Sequence, residues 1–122
     1  MTIQTAITLA DELWPNSYPA SLKIGWLSEL DGLIFTEILS RLEGSPDSFS
    51  GYGASDQSAE LLVPYPYAQE LYTCFLRSRI DRENGETAAY NASAAHFNAA
   101  WQAYADYYTR THTPKSAGSL RF

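Results

Sequence analysis

Cys74, His96 and His112 are the residues of this chain best suited to nucleophilic or metal chemistry, and their spacing serves neither. A reactive thiolate needs a base or a cation beside it, and a metal site needs ligands at short, fixed intervals. The sequence has no second cysteine, no His-x3-His and no Cys-x2-Cys, so a transition-metal centre would have to be assembled from distant carboxylates. Cys74 and His96 form a thiolate pair in principle only, because no nucleophile motif surrounds either of them. Gly51-Tyr52-Gly53 neither follows a clear strand nor opens a helix, which rules it out as a phosphate loop. Glu29, Asp31 and Glu37 lie on a helical segment whose other side is core, and all three are expected to be solvated. His112 stands where the last helix ends, a place where imidazole pairs with terminal carbonyls. The expectation is a non-enzymatic chain with no catalytic, cofactor-binding or metal-binding residues.

Aromatic residues are more informative than the titratable ones. Nine tyrosines and three tryptophans in an acidic chain of 122 residues suit buried contacts with polar edges, the usage of interfaces as well as cores. Twelve side chains emerge as candidates for protein contact: Phe49, Tyr52, Leu62, Val63, Tyr65, Tyr67, Phe97, Trp101, Tyr104, Tyr108, Leu120 and Phe122.

The elements that carry them follow from periodicity. Ile3, Ile7, Ala10, Leu13 and Trp14 recur at helical spacing, with Thr2 as N-cap and Trp14-Pro15-Asn16 as the stop. A second helix begins near Pro19 and runs to about Leu42, its core wall formed by Trp26, Leu27, Leu30, Leu33, Ile34 and Ile38. Gly32 inside it predicts a close helix contact. From Glu43 to Glu60 glycine, serine, proline and aspartate cluster and no helical period survives, which makes a long loop. Phe49 and Tyr52 at its tip either meet a partner or fold back onto their own domain in a short extended pair. Leu61 to Val63 is a short strand or an extended arm closed by Pro64 and Pro66, with Pro66 suited to the first turn of a third helix.

That third helix reaches about Glu83, and a fourth resumes after Asn84-Gly85 and ends near His112. As one rod the pair would measure roughly 70 Å, against about 30 to 40 Å for a compact chain of this length, so a hairpin at Asn84-Gly85 is preferred to one bent helix. At 100° per residue the fourth helix places Ala88, Ala92, Ala95, Ala99 and Ala103 on one arc. Tyr90, Ala94, Phe97, Trp101, Tyr104 and Tyr108 fall opposite. A helix apolar on both sides needs cover on both sides. Either one face packs internally and the other meets another subunit, or the helix is central in a small bundle.

Composition sets the outer bounds. With 45% hydrophobic residues and no divider long enough to separate two cores, the chain forms one helical domain, residues 1–113, followed by a flexible C-terminal tail, 114–122. The fold class is mainly α: a small bundle of about four helices, with a long loop and room for short strands between helices two and three. The lone Cys74 fits a reducing cytosol, and neither a signal peptide nor a membrane span is expected. A net charge of -6 argues against a phosphate-binding surface, and Arg77, Arg79 and Arg82 are interleaved with Asp81 and Glu83.

Three stretches carry a family resemblance. They are Trp26-Leu27-Ser28-Glu29-Leu30-Asp31-Gly32, the run Leu61 to Tyr67, and Tyr90-Asn91 followed by Phe97-Asn98 and Tyr107-Tyr108-x-Arg110-Thr111-His112. Together they resemble small proteins of tailed-phage and prophage structural gene sets, the head-tail connector (adaptor) proteins. The resemblance spans nearly the whole chain and its motifs are structural. It implies a cyclic homo-oligomer on the portal protein, contacts to tail or stopper proteins, and DNA passing through without sequence-specific binding. It also implies a place at the head-tail junction of the virion, and in the bacterial host cytoplasm before assembly, with no membrane. The alternative from composition alone is a small acidic helical regulatory or sequestering protein that binds another protein.

Overall fold

A computed structural model of the chain describes residues 1–115, and within them four α-helices pack into one bundle. Helix α1, Ile3–Leu13, is capped by Thr2, whose hydroxyl accepts from the Thr5 amide at 3.1 Å, and it buries Ile3, Ala6, Ile7 and Ala10. Helix α2 is Ala20–Glu37, shorter than the sequence predicts, because the chain tightens into a 3-10 turn at Leu39–Arg41. Helix α3, Ala68–Glu83, and helix α4, Thr87–Thr111, form the antiparallel hairpin and, among the described residues, pack against each other more extensively than any other pair of helices. Gly85 turns the chain between them at φ +72°, a conformation that costs glycine little.

The α2 wall is rotated from its expected position. Leu33 is 46% exposed, whereas Lys23, Ile24 and Asp31 are buried together with Trp26, Leu27, Leu30, Ile34 and Ile38. Lys23 is accommodated by an ion pair to Asp11 at 2.9 Å, which ties α2 to α1. The predicted close contact at Gly32 is absent: a Cβ there would meet nothing within 4 Å.

Residues 42–67 connect α2 to α3 and form no strand. Among the described residues, extended pairing is limited to two isolated antiparallel bridges, Thr2 with Glu60 and Leu42 with Pro114. The first threads residues 59–61 beside the N-terminus, with Ile3 N donating to Ala59 O and Leu61 N to Met1 O, both at 3.0 Å. The second extends the domain past its predicted boundary at 113, since Lys115 N donates to Arg41 O at 3.0 Å. Pro66 lies in the turn before α3 rather than in its first helical turn, and the Tyr65-Pro66 peptide is cis.

Candidate functional site

Asp31 is the polar centre of the core. It comes from the middle of α2, is fully buried and accepts from three directions: Tyr72 of α3 at 2.6 Å, the Leu62 amide at 2.9 Å, and the Tyr52 hydroxyl. Tyr72 in turn accepts from the Val63 amide at 2.9 Å. The expectation that Asp31 is solvated is therefore wrong. Its helical phase held the signal: at 100° per residue it falls between Ile38 and Ile24, about 20° from each, and both are buried. Burial raises the Asp31 pKa, opposed by the Tyr52, Tyr72 and Leu62 hydrogen bonds, and the direction that prevails is upward. The same burial, together with the carboxylate, pushes both tyrosine hydroxyls upward, so they stay protonated and donate.

This cluster fixes the connecting segment rather than opening a reactive centre, because both carboxylate oxygens are already occupied by donors. The Tyr52 amide adds a 3.0 Å bond to the Ser28 hydroxyl, and the Phe49 ring packs edge-on to Tyr52 with centroids 5.1 Å apart. Tyr52 at the loop tip folds back against the core, while Phe49 stays half-buried with its ring on Tyr52 of the same loop, and no extended pair forms.

The other candidate contact residues divide by exposure. Tyr65 is 57% exposed, and Leu62, Tyr67, Phe97 and Trp101 are half-buried. Val63, Tyr104 and Tyr108 are buried in the chain's own core, so they cannot form a contact surface as expected. Val63 is drawn in by its amide bond to Tyr72, and Tyr104 packs against Tyr67 and Tyr107 at 5.7 and 6.4 Å. Tyr108 stacks on His112 at 3.7 Å, while the imidazole Nδ1 lies 3.0 Å from Tyr108 O, the predicted helix-end arrangement. Leu120 and Phe122 lie outside the described residues.

Helix α4 resolves its two-faced pattern unequally. Its aromatic side faces α3, with Phe97 on Phe75 at 5.2 Å, and near the turn Ser93 donates to Asp81 at 2.9 Å. The opposite ridge, Ala88, Ala92, Ala95, Ala99 and Ala103, is exposed along its whole length. Two grooves flank the C-terminal half of α4. One, of about 280 Å³, runs between Pro46, Pro64 and the Tyr104–Tyr108 side; the other, of about 370 Å³, lies between Trp101 and Ala105 of α4 and Ile38 and Leu42.

Cys74 and His96 line one cleft with Glu70 and Arg77, a juxtaposition that sequence spacing alone could not establish. The cleft does not activate the thiol. Burial and the neighbouring Glu70 carboxylate, which accepts from Sγ at 3.7 Å, push the Cys74 pKa up to about 11. Among the described residues no group of His, Cys, Asp or Glu has the arrangement of a metal site, and no helix is long and apolar enough to cross a membrane. Compared with family models, curated proteins and solved structures, the chain matches none.

Proposed function

We propose that this chain is a non-enzymatic structural protein of a phage or prophage virion, a head-tail connector that assembles as a ring on the portal and lets DNA pass. The observation that carries the reading is the exposed alanine ridge of α4. It extends about 22 Å from Ala88 to Ala103 without a charged residue on the arc, and small side chains let a second helix approach closely. A closed ring needs two different complementary surfaces on each subunit. Tyr65 and Leu33, exposed on other elements, offer apolar material for the second. The net charge of -6 suits a conduit, since acidic subunits repel phosphate rather than hold it. The family resemblance of the Trp26–Gly32, Leu61–Tyr67 and Tyr90–His112 stretches supports the same assignment.

The test is co-assembly. The chain is purified with and without a portal protein from the phage or prophage that would carry it, and the particles are weighed by native mass spectrometry. A portal ring that gains many copies supports the connector. A chain that ignores the portal but forms a stable dimer holding a soluble protein ligand is instead the acidic regulatory module.

A further inference from the structure

We infer that the groove between Pro46, Pro64 and the tyrosines of α4 binds a proline-rich segment of another protein in the polyproline II conformation, with the Tyr104 and Tyr108 hydroxyls donating to its carbonyls. The hydroxyls carry the inference. Tyr104 is 2% exposed and Tyr108 7%, both line the groove, and among the described residues neither phenolic oxygen has a hydrogen-bond partner. Tyr52 and Tyr72 differ, since their hydroxyls close on Asp31. The rings of Tyr104 and Tyr108 are spent on the core, so each contributes to the groove a donor at its floor rather than a contact surface. Burial raises both hydroxyl pKa values, which keeps the protons in place.

The rest of the lining selects the ligand. Among the described residues it holds no carboxylate, lysine or arginine, so a charged ligand gains no ion pair there. Half-buried Leu62 and Tyr107 and exposed Pro46 and Pro64 make apolar walls instead. A proline residue suits donors set among such walls, because it offers a carbonyl and has no N–H to leave unpaired. Aromatic grooves take polyproline II segments on this principle, and the ligand is already extended before it binds. From Tyr104 to His112 the α4 side of the groove is about 12 Å long, longer than one polyproline II turn of about 9.3 Å. Carbonyls three residues apart, which project from one edge of the ligand, therefore both fall within it. The donors are also held in place. Tyr67 packs on Tyr104 and Tyr107 at 5.7 and 4.9 Å, and His112 stacks on Tyr108. The alanine ridge is on the opposite side of α4, so the inference does not depend on the connector reading.

The experiment is a titration of the isotope-labelled full chain with acetyl-decaproline amide, beside a Gly-Ser peptide of the same length, followed by nuclear magnetic resonance. Decaproline should shift the Tyr104, Tyr107 and His112 ring resonances and the Leu62 methyls saturably, and the Gly-Ser peptide should not. Tyr104→Phe and Tyr108→Phe should each weaken binding about 3- to 10-fold. Their urea midpoints should match the natural chain, because the free fold loses no hydrogen bond with either hydroxyl. Absence of shifts with decaproline, equal shifts with the Gly-Ser peptide, or unchanged affinity in a folded Tyr104→Phe, Tyr108→Phe double variant would each overturn the inference.

Discussion

Asp31 keeps a carboxylate inside an apolar core because three donors converge on it, and that dependence sets how the residue responds to change. Asp31→Ala strands the Tyr72 hydroxyl and the Leu62 amide, with Tyr52 partly open to water, and should cost about 2 to 4 kcal/mol, read as a lower urea midpoint at unchanged slope. Tyr72 both donates to Asp31 and accepts from Val63 N, whereas Tyr52 donates through its hydroxyl once. Tyr72→Phe is therefore expected to cost about 2 kcal/mol and Tyr52→Phe about 1. Protonation acts in the opposite sense. The folded Asp31 pKa is raised above the unfolded value near 3.8, so its contribution to stability is fully present below that value and is lost as pH rises through the folded pKa. Relative to Asp31→Asn, the natural chain should gain stability as pH is lowered from neutral toward about 4. A parallel pair of stability profiles would show that the carboxylate does not titrate differently in the fold.

At the scale of elements, the connection from α2 to α3 is held by backbone approach as much as by side chains. Gly51 sits at φ +92°, and a Cβ there would come within 2.9 Å of the Ser28 hydroxyl, the group that receives the Tyr52 amide. Gly51→Ala should destabilise by about 1 to 2 kcal/mol and loosen the loop in hydrogen exchange. Gly32→Ala has the opposite expectation. Gly32 is inside a helix with open space around its Cα, so alanine should raise stability by about 0.5 to 1 kcal/mol, read as a higher urea midpoint. The loop between the two helices was legible from its Gly, Ser and Pro texture. Its anchoring was not, because Asp31 and Tyr52 are 21 residues apart and nothing local joins them.

For the whole molecule the outward ridge of α4 separates stability from assembly. Glutamates at Ala95 and Ala99 enter exposed helical positions and should leave the melting temperature nearly unchanged, within about 0.5 kcal/mol of stability. In the proposed ring they would place charge in every subunit contact, and the portal-bound copies seen by native mass spectrometry should disappear. Ring formation that survives both substitutions would move the contact to another face, with Leu33 and Tyr65 the next to be tested.

The sequence alone determined that there are four helices, the cap at Thr2 and the two-faced pattern of α4, because each depends on periodicity or on neighbours within a turn; the hairpin at Asn84-Gly85, preferred there on the size of the chain, and the end of α2 at Glu37 came from the fold. It also contained the phase that puts Asp31 in the core sector, a signal outweighed by the ordinary preference of carboxylates for water. Only the tertiary structure decided which α4 face is covered, since an aromatic arc and an alanine arc are equally apolar in a pattern and differ in what can pack against them. Tertiary structure likewise turned Val63, Tyr104 and Tyr108 from candidate contacts into core, and brought Tyr52, Leu62 and Tyr72 to one carboxylate. Those partners are 21 to 41 residues from Asp31, and chemistry at that separation becomes visible only when the chain closes on itself.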